Sequence, residues 1–476
     1  MIISQLAASL RQNPHLESAI DYISKYGEGE LAEDFRKSSW NAWTGKISDS
    51  RKILSIIAKK WKEDSHGIYR SLMTMSSIFS EKNPEKRNKI LDRSVDILLS
   101  DINLSFKKYI NSLQIPTLMI FSFGIIMPLM LISLLPILSI FNLNSSLLLL
   151  TIFLFLSISL THFYSQKIIK KRPVAFSEQK IIVDSPNKFF FVSLASLISI
   201  PSILYILNIL GIKLSGFVLE IASFELSPLS LLWGIGISLS IYFYMISKSG
   251  KALRNKIKKL DSQFLDFLFN LNNHLLNSKP LEDAIKSSCL DDELSLFFKK
   301  SINLVERRSL SLKQALSYHK IESKLVRSSI EMILRSMERG SKASAETCST
   351  LLNYFEKITQ AQSELKLSLQ KNINMMKATV ILIGPLICSI IIVLFEVMSQ
   401  NMSAMETPIM FSYIDSGILQ ILVGLYCISL NYTLINYSTS VMHGNDKVEL
   451  ASELYQSIPL SLTIFTISLI IMRMLT

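Results

Sequence analysis

The 476-residue chain has little glycine, little charge and almost no cysteine. Fifteen glycines supply few of the turns that sheets need, and period-two alternation between turn residues is scarce, so a sheet-rich fold is excluded. Only 18% of residues are charged, against about 25% in an ordinary soluble domain. The four cysteines, Cys289, Cys348, Cys388 and Cys427, stand singly, with no CxxC or histidine-spaced pattern, and read as small apolar fillers. Six scattered histidines show no HExxH spacing, and no GxSxG elbow occurs. The nearest approach to a phosphate loop is SGKA at 249–252, but Met245 stands where that loop needs its first glycine. Enzyme, metal and cofactor readings therefore have nothing to stand on. The N-terminus, MIISQLAASLRQNPH, has neither a long apolar core nor a basic flank, so no cleaved signal peptide is expected.

What the chain has instead is long apolar blocks, at about 115–141, 147–164, 189–210, 226–247, 378–399, 417–438 and 457–475. Each is long enough to cross a hydrocarbon layer of about 30 Å at about 1.5 Å per residue. The expectation is an all-α, polytopic membrane protein with about seven transmembrane helices. Within the blocks the charged or histidine residues are His162, Glu396 and Arg473, each near an end, so a transporter's midplane charge is missing. Lys and Arg concentrate in the link after the second block and in KSGKALRNKIKKL after the fourth, which has six basic residues and no acid. By the positive-inside bias, residues 1–112 and 248–377 are cytoplasmic and the C-terminus lies outside. Two features resist this: the 441–456 link is acidic, and Arg473 lies near the outer end of the last block.

The two polar regions read as one helical domain written twice. LRQNPHLESAI (10–20) lies over LLNSKPLEDAI (275–285), and LAEDFRKS (31–38) over LSLFFKKS (294–301). RSLMTMSSIFSEKN (70–83) lies over RSSIEMILRSMERG (327–340), and that offset holds to Pro128 over Pro385. Apolar residues Val326, Ile330, Ile333, Leu334 and Met337 recur at helical spacing. Pro14 and Pro280 suit a first helical turn, with Asn13 an N-cap candidate. The expected segments are 1–112, a first cytoplasmic helical domain burying its own core; 113–247, four membrane helices; 248–377, the repeated domain; and 378–476, three membrane helices.

A helical domain running into a membrane segment, then the pair repeated, resembles the platform proteins of type II secretion and type IV filament machines. The likeness rests on the LLNSKPLEDAI start, the Arg-Ser…Met…Glu-Arg-Gly stretch at 327–340 and Gly384-Pro385. Four spans between the copies and three after the second are similar to the archaeal branch, which serves archaella and adhesive pili. The resemblance implies a non-enzymatic base in the cytoplasmic membrane, without cofactor. It would act as a homodimer, bind a hexameric cytoplasmic secretion ATPase and pass its movement to pilin or archaellin subunits.

Residues 248–377 carry 23 Lys/Arg against 14 Asp/Glu, and 1–112 carry 18 against 14. Arg307, Arg308, Arg335, Arg339 and Lys342 are the leading candidates for the ATPase contact, with Arg36, Lys37, Lys86 and Arg87 in the first domain as the alternative. Lys251, Arg254, Lys256, Lys258 and Lys259 adjoin a membrane block and are read as lipid-headgroup contacts. The basic residues are read as lacking interleaved surface aromatics, so nucleic acid is not an expected partner. A transporter, or a scaffold of another membrane complex, is the competing reading.

Overall fold

The computed structural model describes residues 2–12, 15–27, 29–46, 52–128, 130, 146–172, 188–209, 227–277, 279–290, 292–308, 311–318, 321–337, 340–404 and 415–475. Among these residues there is no strand; the chain is all-α. The first polar region forms α1 (Ile2–Gln12), α2 (Leu16–Tyr26), α3 (Glu30–Trp43), α4 (Lys52–Lys60), α5 (His66–Ser76) and α6 (Pro84–Ser112). There follow α7 (Gln114–Phe121), a π-turn at Ser122–Ile126, α8 (Ser146–Ile169), α9 (Lys188–Ile198), α10 (Ile200–Ile209) and the 48-residue α11 (Leu229–Leu276). The second polar region gives α12 (Leu281–Ser288), α13 (Glu293–Arg308), α14 (Leu312–Ser317), α15 (Lys324–Met337) and α16 (Ser341–Ala378). A second π-turn at Thr379–Ile383 leads into α17 (Gly384–Ala404), then α18 (Ser416–His443) and α19 (Lys447–Leu475).

Local signals account for these boundaries. In α2 the buried residues Leu16, Ala19, Ile20 and Ile23 fall at one helical face, and in α15 Val326, Ile330 and Ile333 do the same. Ser311 opens α14 with a reciprocal capping box to Gln314, and Asp415 caps α18 by accepting from Gly417 N at 2.8 Å. Gly340, at φ 101°, turns the chain between α15 and α16 where a side chain would be strained. Pro280 sits at the N-cap of α12, one residue ahead of the expected first turn, because its carbonyl already accepts from Ala284 N. Asn13 and Pro14 lie outside the described residues.

The four expected segments are arranged as two compact units. Residues 1–107 and 254–365 form one, and 108–253 with 366–476 form the other. The chain passes between them inside α6, α11 and α16, so every crossing is helical. In the first unit the two polar regions do not bury separate cores. Leu6, Ile20, Ile23, Phe35 and Leu54 join Phe264, Leu268, Phe298, Val326 and Leu351 in one continuous cluster.

The second unit holds the apolar helices. Among the described residues six helices are long and apolar enough to cross a membrane, and a seventh span results if the pair Phe189–Ile198 and Ile200–Leu207, bent by 58°, counts as one. Pro201 stands at that bend, in the first turn of α10, where its missing N–H costs nothing. Pro459 lies inside α19, and the carbonyl it frees on Tyr455 accepts from Ser240 Oγ at 2.8 Å. The first π-turn is likewise supported from outside: Ser157 Oγ donates to Phe123 O at 2.6 Å and Tyr426 OH donates to Gly124 O. Buried Asn431 of α18 donates to Ser457 O and Ser461 Oγ and accepts from Ser457 Oγ, tying α18 to α19.

Close approach in this bundle depends on absent side chains. A Cβ on Gly424 would lie 2.1 Å from Cδ1 and 2.9 Å from Cγ of Leu232, which is itself fully buried. Gly424→Ala is therefore expected to destabilise the membrane unit by about 1–3 kcal/mol, the usual cost of overpacking. Thermal unfolding in detergent checks this; an unchanged midpoint would show that α11 and α18 can separate freely.

Candidate functional site

The apolar stripes of both polar regions face one core, and polar contacts tie the regions at its edge. Tyr22 of α2 is buried, donates to Ser328 O of α15 at 3.1 Å, and carries the Arg335 guanidinium 5.1 Å above its ring. Ser4 of α1 hydrogen-bonds Tyr354 of α16, and Lys357 Nζ of α16 pairs with Asp96 of α6 at 2.5 Å. These contacts join residues more than 250 positions apart, so the two regions pack as one body.

The helices of the two regions also recur in the same order. Pro84 and Ser341 open α6 and α16 at an interval of 257 residues, and the two π-turns begin at the same interval, at Ser122 and Thr379. π-turns inside α-helices often mark functional sites.

The candidate partner residues fall into different environments. Arg307 and Arg308 are exposed at the C-terminal end of α13, and Lys342 is exposed at the start of α16. Arg36 and Lys37 are exposed on α3, Arg36 donating through Nε to Ser24 O at 2.9 Å, and Lys86 is exposed on α6 with Arg87 half-buried. Arg335 is half-buried over Tyr22 and belongs to the joint between the regions. Arg339 lies outside the described residues. The candidate lipid-contact run divides as well. Lys258 and Lys259 are exposed, but Arg254 is buried and Lys251 donates to Ser452 Oγ at 2.9 Å. Lys256 pairs with Glu322 at 2.6 Å and Glu293 at 3.8 Å, and its hydrogen bond to Glu322 raises the pKa of its ammonium.

Asp261 of α11 is half-buried in the first unit, accepts from Ser323 Oγ at 2.5 Å, and Ser323 in turn accepts from Val326 N at the start of α15. Burial raises the Asp261 pKa above its ordinary 3.8, more than the Ser323 hydrogen bond lowers it. Cys348, also in this core, is pushed up to about 12 by burial, which keeps it an unreactive thiol.

In the second unit the charges that sequence left unexplained find partners. Arg473 of α19 grips both carboxylate oxygens of Glu396 on α17, with Nε at 3.0 Å from Oε2, and Gln420 of α18 donates to the same carboxylate at 3.2 Å. Three helices thus meet at one charge pair. The acidic 441–456 link is answered by basic residues from elsewhere: Lys377 pairs with Glu453 at 2.6 Å, Lys251 reaches Ser452, and Arg172 donates to Met442 O at 3.0 Å, beside the turn at Gly444. Sequence reasoning missed both groupings; the available signal was a lone acid and a lone base of opposite sign near the ends of two apolar blocks. His162 lines a cleft of about 330 Å³ with Leu239, Phe243 and Tyr432 in the same unit. Among the described residues no group of His, Cys, Asp and Glu could hold a metal.

No family model, curated protein or solved structure matches this chain.

An acid whose folded pKa is raised weakens folding as pH climbs from its unfolded value through the folded one, and its cost persists at higher pH. Asp261→Asn keeps the acceptor for Ser323 without the charge, so it should raise the unfolding temperature at neutral pH, with the gain vanishing below the ordinary carboxyl pKa. A gain that is unchanged across that range would assign the effect to packing. Glu396→Gln alone should cost about 3–5 kcal/mol by stranding Arg473, and adding Arg473→Met should recover most of the loss. Equal loss in the single and double variants would show that a stranded Arg473 is not the source of the cost.

Proposed function

We propose that this chain is a non-enzymatic platform in the cytoplasmic membrane for a type IV filament machine of the archaellum or adhesive-pilus kind. In this reading it couples a hexameric cytoplasmic ATPase to the insertion or removal of filament subunits. The observation that carries it is the joint between the two polar regions. Both regions share one core, their helices recur in one order, and each ends in a long helix that leads to a π-turn within apolar sequence. A duplication of a cytoplasmic domain with its following span accounts for that recurrence. A motor pulling on such a body would move both membrane-entering helices together, which a base for filament growth requires.

The topology is part of the proposal: seven spans, residues 1–112 and 248–377 in the cytoplasm, and the C-terminus outside. The contacts of the 442–453 stretch with bases support it: Lys377 pairs with Glu453, while Lys251 donates to Ser452 and Arg172 to the Met442 carbonyl. Arg473 no longer counts against it, being paired with Glu396.

Arg307, Arg308 and Lys342 are the exposed cations best suited to the motor contact, since the arginine fork matches carboxylates. Arg335 is better left alone, because reversing it would disturb Tyr22. The variant Arg307→Glu, Arg308→Glu, Lys342→Glu should lower co-purification of the ATPase at least about tenfold, each decade being about 1.4 kcal/mol. Filaments should be lost while membrane insertion stays normal. Lys258→Glu with Lys259→Glu is the control and should leave ATPase capture intact. Unchanged capture and filament number in the triple variant would place the motor contact elsewhere or remove the reading.

A further inference from the structure

Helices α3 and α4 form an antiparallel pair fastened at one end. Asp34, near the start of α3, is buried and accepts from Lys60 Nζ and from Trp61 Nε1 at 2.9 Å, both at the end of α4. The opposite end carries Trp40 and Trp43, which are 69% and 85% exposed. With Arg36 they occupy positions i, i+4 and i+7, one face of α3. Lys37, Lys46, Lys52 and Lys59 are exposed on the same pair, as is Ile56 of α4. The expectation that basic residues here lack neighbouring surface aromatics fails at this point.

The second region supplies an internal control. The match of LAEDFRKS with LSLFFKKS continues without a gap, so Phe35 corresponds to Phe298, Trp40 to Asn303 and Trp43 to Glu306. Both phenylalanines are buried in the core, and Asn303 and Glu306 are exposed on α13. The fold therefore accepts polar residues where the first region has two indoles. Folding does not require these tryptophans.

The geometry points to an anionic lipid surface as the ligand of this face: the indoles enter the headgroup layer and the lysines meet lipid phosphates. Three observations select that partner. Trp beside Lys is the pairing that interfacial membrane contacts use. Lysine dominates arginine here, whereas protein interfaces are depleted in Lys and enriched in Arg. And the described residues hold six helices long and apolar enough to cross a membrane, so a bilayer accompanies this chain. This inference does not depend on the filament reading; it reassigns Arg36 and Lys37 from a motor contact to lipid.

The test uses the full chain in nanodiscs of phosphatidylcholine alone and of an equal mixture with phosphatidylglycerol. The signal is the tryptophan emission that W40N/W43E lacks, this variant carrying the second region's own residues. In the mixed discs that emission should shift to the blue and acrylamide quenching should fall severalfold, and high salt should reverse both. K37E/K46E/K52E should abolish the lipid dependence while leaving the thermal midpoint unchanged. Equal quenching in the two discs would overturn the proposal. So would protection by a single-stranded oligonucleotide in neutral discs with none from phosphatidylglycerol, which would make the face a nucleic-acid platform.

Discussion

The sharing of one apolar core by two distant stretches of chain is the constraint on which the rest of the first unit depends. Each polar region presents helices with a single apolar stripe, and such stripes are stable only when covered. Here they cover each other: Phe35 and Leu54 from one region and Phe298 and Val326 from the other lie in one cluster. The polar contacts at the joint, Tyr22 with Ser328 and Arg335 and Lys357 with Asp96, add direction to what burial alone would leave free to slide. The helices crossing out of this unit then start from a fixed base, because α6, α11 and α16 all contribute to it.

In the second unit association must come from other sources, since lipid is as apolar as leucine. Small residues let backbones close up, as at Gly424 against Leu232. Hydroxyls and amides then bond across helices, as Asn431 does to α19 and Tyr426 and Ser157 do to the opened carbonyls of the first π-turn. Two ion pairs also join helices here, Glu396 with Arg473 and Glu453 with Lys377. An ion pair gripped this way holds helices in register.

Much of the architecture was legible in the sequence because it is local. Apolar block length marks the membrane helices, spacing of three and four marks Val326–Ile333, and Ser311, Asp415 and Gly340 punctuate helix ends. The recurrence at 257 residues was also readable, since it is a comparison of the chain with itself. What was not legible is non-local. Nothing in the neighbourhood of Ile20 or Ile330 says which other stripe will cover it, so two cores were expected where one forms. Lys256 reads as a lipid contact until Glu322 and Glu293 are folded beside it, and Arg473 reads as an anomaly until Glu396 faces it. Trp40 and Trp43 look like Phe35 in the sequence, since an aromatic on a helix is by default a core residue; only their exposure separates them.

The central claim, one body built from both polar regions of a single chain, is tested most directly by cross-linking. Asp96→Cys and Lys357→Cys, in a chain whose four native cysteines are replaced, place two thiols where an ion pair now stands. A short bis-maleimide applied to membranes should then join residues 96 and 357 within one chain, giving a faster-migrating monomer. Absence of that species, or cross-links found solely between chains, would contradict the account.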